Sequence, residues 1–202
     1  MIIILIFILL QQIHVTTQYS SQNKTKLLQV AWESLEHFLI NGRRTEFTTE
    51  TPELQTKRAV FVTLRKRDSG DLRGCIGQTE ARFPLIEAVA KTVISAAVDD
   101  SRFPQVKLNE LANLLIEINV LTPMFVITPD NVVVGKHGLL LSKGSCRGLF
   151  LPEVAVSQGW DRLTFLDELC RKANLPIGSW RYADAELLAF ESESWEDIEN
   201  DL

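Results

Sequence analysis

Cysteine is scarce in this chain of 202 residues, and its three copies, Cys75, Cys146 and Cys170, lie far apart. They offer neither a disulfide framework nor a CxxC zinc pair, so free thiols in a reducing compartment are expected. Histidine is equally sparse. His14, His37 and His137 are dispersed, and no HExxH or similar run gathers metal ligands on one face, so neither a metal nor a cofactor is expected. Nucleotide-binding glycine loops are missing as well: Gly70 to Gly77 fits neither G-x-G-x-x-G nor G-x-x-x-x-G-K-[ST]. Most of the chain also lacks an excess of either charge. The net charge is −5, but Glu191, Glu193, Glu196, Asp197, Glu199 and Asp201 give the C-terminal segment −6 with no base, leaving +1 for the rest. A near-neutral body excludes wholesale binding to nucleic acid or to an anionic membrane. Arg65-Lys66-Arg67, without interleaved aromatics, reads as a solvated turn rather than an RNA contact.

What is present is the balance of a globular protein, 46% hydrophobic and 23% charged residues. One long apolar run stands apart, Met1 to Leu10, about half of what a bilayer crossing needs. No Lys or Arg precedes it, the first charged residue being Lys24, and Val15-Thr16-Thr17 matches a cleavage site poorly. Residues 1–23 therefore read as an extension outside the fold. The cytoplasm is the expected location, with export or anchoring through residues 1–15 as the alternative, and no membrane partner is expected.

Hydrophobic spacing predicts an amphipathic helix over Lys24 to Ile40, stopped by Asn41-Gly42, and then a long loop from Arg43 to Lys57. Ala59 to Leu64 and Leu72 to Gly77, joined by turn chemistry, predict a β-hairpin. Pro84 opens a second helix whose apolar stripe runs from Leu85 to Val98. Leu115 to Leu121 alternates as a half-buried strand. A second hairpin is expected from Gly138–Ser142 and Leu149–Leu151, entered from Val132-Val133-Val134. A helix from Thr164 to Ala173, capped by Thr164 and Asp167, follows it, and a last strand from Glu186 to Phe190 precedes the acidic tail. Two hairpin–helix–strand units in succession suggest an internal duplication and an α+β fold of two lobes with mostly antiparallel sheet.

The sharpest local feature is Leu72-Arg73-Gly74-Cys75-Ile76-Gly77-Gln78. Glycines inside a strand mark a bulge or a close approach to the backbone. Cys75 is a candidate catalytic thiol whose thiolate Arg73 and Arg82 could stabilise; from the residues alone it reads sooner as a small buried hydrophobe. The sole histidine suited to serve it as a base is His137, in a glycine-flanked turn. Asp99, Asp100 and Arg102 bound a proline-terminated helix and can simply pair in solvent. His37 reads as a surface residue, Cys170 as core and Cys146 as an exposed turn residue.

These segments resemble the AMMECR domain family, whose prokaryotic members are called AmmeMemoRadiSam system protein A. Val60 to Leu64 leading into Leu72 to Gly77 is similar to the family signature. Asp100-Ser101-Arg102-Phe103-Pro104 resembles its Asp-Pro-Arg-Phe segment, Glu117-Ile118-Asn119-Val120-Leu121 its Glu-Ile-Ser-Val-Leu strand, and Leu151-Pro152-Glu153-Val154 its Leu-Pro-Gln-Val. Cys170 to Leu175 is similar to its Cys-x-Lys-Ala-Gly-Leu, with Trp180 following. The departures are Ser101 for proline, Asn119 for serine, Glu153 for glutamine and Asn174 for glycine. The resemblance implies an AMMECR domain over residues 24–195, followed by an acidic tail at 196–202. It also implies a cleft near the Arg-Gly-Cys-Ile-Gly segment, and a modification pathway shared with a Memo-like protein and a radical SAM enzyme. Within that cleft Cys75 is the catalytic candidate, and Arg73, Gly74, Ile76, Gly77, Gln78, Arg102 and Phe103 are the binding candidates. The alternative is a non-catalytic adaptor whose glycine segment contacts a partner chain or small ligand.

Overall fold

The computed structural model describes residues 18–197. The apolar N-terminal run, with the signal or anchor reading placed on it, and the acids Glu199 and Asp201 lie outside the described residues. Among the described residues no helix is long and apolar enough to cross a membrane.

The chain forms an α+β fold with two lobes, each built on a four-stranded antiparallel sheet. Helix α1 (Ser21–Asn41) starts where the Ser20 side chain accepts the Asn23 N–H, and it ends where Gly42 takes the left-handed conformation at φ +68°. Ahead of it, Tyr19 is already buried, its ring 5.8 Å from that of Trp195. The expected long loop holds a short helix, α2 (Pro52–Gln55), which pins Leu54 into the core. Strands β1 (Val60–Lys66) and β2 (Leu72–Gln78) form the first hairpin, and helix α3 (Leu85–Val98) packs across them, with α1 outside it. A 3-10 turn at Leu108–Asn113 leads into β3 (Leu114–Leu121). Val60, Val62 and Leu64 of β1, and Ile116, Ile118 and Val120 of β3, all point at α1 and α3 and form the larger core.

The second lobe comprises β4 (Phe125–Val126), β5 (Gly138–Lys143), β6 (Cys146–Phe150), helix α4 (Pro152–Ser157), helix α5 (Arg162–Lys172) and β7 (Glu186–Phe190). Residues 132–134 enter it as loop and turn rather than strand. Helix α5 begins two residues before the expected start. Asp161, not Thr164, is its cap and accepts the Thr164 N–H at 2.8 Å, while Asp167 is taken by the Trp180 indole at 2.8 Å.

The expected duplication has a counterpart in topology. The strand order is β2-β1-β3 in the first sheet and β6-β5-β7 in the second, so each hairpin is followed by a helix and a strand that pairs with its first member. A fourth strand completes each sheet: β4 joins β7, and β8 (Ser192–Glu196) returns past the second lobe to pair with β3. The acidic segment is thus structural as far as Asp197, which corrects its reading as a tail. Glu193 accepts the Tyr19 N–H and pairs with Lys24, and buried Asp197 holds the Trp32 indole and Arg67, each at 3.2 Å.

Candidate functional site

On the first sheet, alternation turns one face to the helices and leaves the other to the second lobe. Across that second face Thr63 pairs with Cys75 on one side and Glu117 on the other, and in the next row Phe61 pairs with Gly77 and Asn119. The second lobe covers the Phe61 end of the face through a small core of Ala59, Leu121 and Phe190, flanked by Phe61, Met124, Leu149 and Leu151. The row of Cys75, Thr63 and Glu117 stays half-exposed.

The glycines of the motif are explained by the chain itself. Register shifts between Leu64 and Arg65, opposite Arg73, so the expected bulge is there. A Cβ on Gly74 would stand 2.1 Å from the Ala96 carbonyl oxygen, and one on Gly77 would stand 2.1 Å from the Phe61 ring. Helix α3 and an aromatic side chain therefore make the two close approaches. Ile76 packs against the larger core.

Strand β2 is an edge strand, and Asp100 and Arg102 clamp it at Cys75. The Cys75 N–H donates to Asp100 Oδ2 at 2.8 Å, and Arg102 Nη2 donates to the Cys75 carbonyl at 3.4 Å. Arg102 donates back to Asp100 from its backbone N–H at 3.1 Å, from Nε at 2.9 Å and from Nη2 at 2.6 Å. Asp100 is 7% exposed, so the pair is not simply solvated, and the guanidinium holds its carboxyl far below the usual carboxylate range. Asp100 in turn pushes Arg102 above its ordinary value, and a thiolate at Cys75 adds to that to a smaller extent. The thiol accepts a hydrogen bond from the Thr63 hydroxyl at 3.3 Å.

Other expected members are placed elsewhere. Arg73 is buried and donates to Glu110 at 2.8 and 3.0 Å and to the Pro104 carbonyl at 2.9 Å, holding Glu110 below its usual range. Its cation is thus spent on the loop after α3 rather than on Cys75. Phe103, Leu72 and Arg73, with Lys66 and Lys107, line an open hollow of about 500 Å³ beside β2. Gln78 lines a smaller recess with Thr79, Glu80, Arg82 and Phe83. Arg82 is exposed and paired with Glu80 at 2.7 Å, which removes it as a partner of Cys75. His137 belongs to the second lobe, where it is buried, takes the Val133 N–H on Nδ1 at 3.2 Å and meets the Phe125 ring edge-on; it does not join Thr63, Asp100 and Arg102 around Cys75. His37 is exposed and Cys170 is buried, as read, whereas Cys146 opens β6 half-buried. Arg65 and Arg67 are turned to Glu117 and Asp197, which leaves little of the basic triplet free.

Sequence reasoning missed Asn119, which stands opposite Phe61 in the row next to Glu117. Asn119, 4% exposed, donates from Nδ2 to Glu153 Oε1 on α4 at 3.1 Å, bridging the lobes. Burial, and to a smaller extent the charge of Glu117, push the Glu153 carboxyl up. The signal was present: Asn119 and Glu153 are two of the four departures from the resembled pattern. Among the described residues no three His, Cys, Asp or Glu side chains are grouped to hold a metal ion.

Comparison with known proteins covers nearly the same span as the fold. A protein of Methanopyrus kandleri is 39% identical over 181 residues, covering 86% of this chain and 87% of its own. A protein of Pyrococcus furiosus is 42% identical over 181 residues, covering 85% of this chain and 86% of its own. The crystal structure of uncharacterized protein PH0010 from Pyrococcus horikoshii superposes with a TM-score of 0.77 at 41% identity, covering 85% of this chain and 89% of that one. The family model described as AMMECR1 matches residues 28–195, which takes in both sheets, the Cys75 edge and the Asn119–Glu153 bridge, and the chain belongs to the AMMECR1 family.

Proposed function

We propose that this protein is the thiol-bearing component of a cytoplasmic modification pathway shared with a Memo-like protein and a radical SAM enzyme, with Cys75 meeting the substrate in the cleft. The observation that carries this reading is the setting of Cys75: a half-exposed thiol on the edge strand, hydrogen-bonded by Thr63, with its backbone clamped by Asp100 and Arg102. The clamp on its backbone and the Thr63 hydroxyl fix the thiol at the open edge of the sheet, where a substrate can reach it. In this reading Arg102 holds an anionic substrate group, Arg73 positions the loop that carries Arg102 and Phe103, and the thiol proton leaves to solvent at the open side.

Competitive alkylation of the folded full-length protein with iodoacetamide at pH 7, mapped by peptide mass, tests it. Cys75 is expected to react at least about tenfold faster than half-buried Cys146, and Arg102→Ala to slow Cys75 without changing Cys146. Equal rates at the two cysteines, or reaction of Cys75 on unfolding alone, overturn the role.

A second reading, the adaptor, is supported by the hollow of about 500 Å³ beside β2, which has the volume of a small-ligand pocket. Because Gly74 and Gly77 are covered by the chain's own atoms, a partner would engage Phe103 and the Lys66–Lys107 rim rather than the glycine backbone. A Cys75→Ser protein with an unchanged melting temperature that still captures the Memo-like protein and still supports product formation favours the adaptor; loss of product with capture intact favours the thiol.

A further inference from the structure

The hollow of about 500 Å³ beside β2 is open to solvent, and the charges that line it do not balance. Leu72, Phe103 and Pro104 give it an apolar surface, while Lys66, Arg73, Lys107 and Glu110 bring its charges. Arg73 and Glu110 cancel, because the buried guanidinium donates to both carboxylate oxygens, at 2.8 and 3.0 Å. Lys66 and Lys107 are left over. Among the described residues neither ammonium has an ion-pair or hydrogen-bond partner, and both are exposed. One solvated lysine is ordinary, but two that line the same partly apolar hollow give it a field of one sign.

The walls are set in advance. The Lys66 N–H donates to the Asp71 carbonyl at 2.9 Å, and the Lys66 carbonyl accepts the Gly70 N–H at 2.8 Å. The Lys107 N–H donates to Glu110 Oε1 at 2.8 Å, and the Phe103 N–H to the Asp100 carbonyl at 3.1 Å. A site fixed in this way loses little affinity to ordering its own backbone on binding. Its volume lies within the range of small-molecule sites, roughly 300–1,000 Å³. Two unmatched positive charges are answered by a group with close to two negative ones, which a phosphate monoester carries at neutral pH, and lysine is a common phosphate ligand.

We infer that this hollow binds a small molecule in which a phosphate monoester is joined to an apolar ring, the phosphate met by Lys66 and Lys107 and the ring by Phe103 and Leu72. The inference rests on the adaptor reading, which puts a ligand in the hollow, and adds the charge and shape of that ligand; it does not require the Cys75 thiol to react.

The test is a titration of the ¹⁵N-labelled full-length protein with phenyl phosphate at pH 7.5, read at the backbone amides of Phe103 and Lys107, with phenol and inorganic phosphate as the two halves of the probe. Saturable shifts are expected with phenyl phosphate, at least about tenfold tighter than with either half. The Lys66→Gln/Lys107→Gln protein, whose melting temperature should stay unchanged, is expected to bind phenyl phosphate at least about tenfold more weakly and phenol as before, and Lys66→Arg/Lys107→Arg to restore the affinity. Phenol binding as tightly as phenyl phosphate, or unchanged affinity in the glutamine variant, overturns the anion while leaving the hollow a ligand site, so the adaptor reading survives. Inorganic phosphate binding as tightly overturns the ring. Tighter binding of acetyl-phosphotyrosine amide overturns the small molecule in favour of a modified side chain, and no saturable shift with any probe overturns the inference together with the adaptor reading of the hollow.

Discussion

At Asp100 one carboxylate accepts four hydrogen bonds, one from the Cys75 N–H and three from Arg102, and so seals the edge of β2 where the thiol sits. Because its pKa is lowered on folding, Asp100 stabilises the protein above the unfolded value of about 3.9, and that contribution is lost as pH falls toward the folded value. Asp100→Asn is therefore expected to cost about 1–2 kcal/mol at pH 7, the exposed side of Arg102 being discounted for screening. Urea midpoints of the two proteins should converge in strong acid; a constant gap at every pH would show that the charge contributes nothing. The sequence made Cys75 and its glycines conspicuous but could not show what approaches them. Alternation predicts which side of a strand a residue takes; it does not reveal that the Ala96 carbonyl fills the place of a Gly74 side chain, or that Arg73 turns to Glu110. Those contacts join positions remote in the chain, where spacing carries no information.

Among the elements, β8 shows how composition misleads. Acids without a base suggest a tail, yet Ile118 pairs with Trp195 across the ladder, and Trp195 packs against Tyr19 and the larger core. Asp197 closes the strand by holding Trp32 and Arg67. Asp197→Ala leaves both donors short of a partner and is expected to cost about 1–3 kcal/mol, with a change in Trp32 fluorescence before unfolding. A solvated tail would give neither effect, so a melting curve and an emission spectrum decide the matter. The long helices α1 and α3 and both hairpins were legible because their periodicity repeats over many residues. The short pieces α2, α4 and β4 were not, since a few residues carry no period and their proline starts also fit a loop. Thr164 misled for a related reason: a capping pattern recurs by chance, and Asp161 three residues earlier is an equally good cap with the better geometry.

Over the whole molecule, the two lobes meet through the small core around Leu121 and Phe190 and through the Asn119–Glu153 bridge. Glu153 is raised on folding, so its favourable contribution is complete below the unfolded value of about 4.3 and is lost as pH rises through the folded value. Glu153→Gln, which keeps an acceptor for Asn119, is expected to raise the melting temperature at pH 7.5 and to leave it unchanged below pH ~4. A lower melting temperature at neutral pH would instead show that the charge ties the lobes together. The two-lobed antiparallel plan was legible from element order, because a hairpin followed by a helix and a strand has few ways to close. The partners of β4 and β8 were not, since pairing between segments remote in the chain leaves no local mark. The return of β8 to the first sheet has a consequence during synthesis. Strand β4 leaves the ribosome before any strand of its own sheet, and β8 after every strand it joins, so the first sheet waits with the β3 edge bare until translation has passed the second lobe. A nascent chain halted before β8 would expose that edge to other chains, which makes the final stage of translation the one most in need of a chaperone.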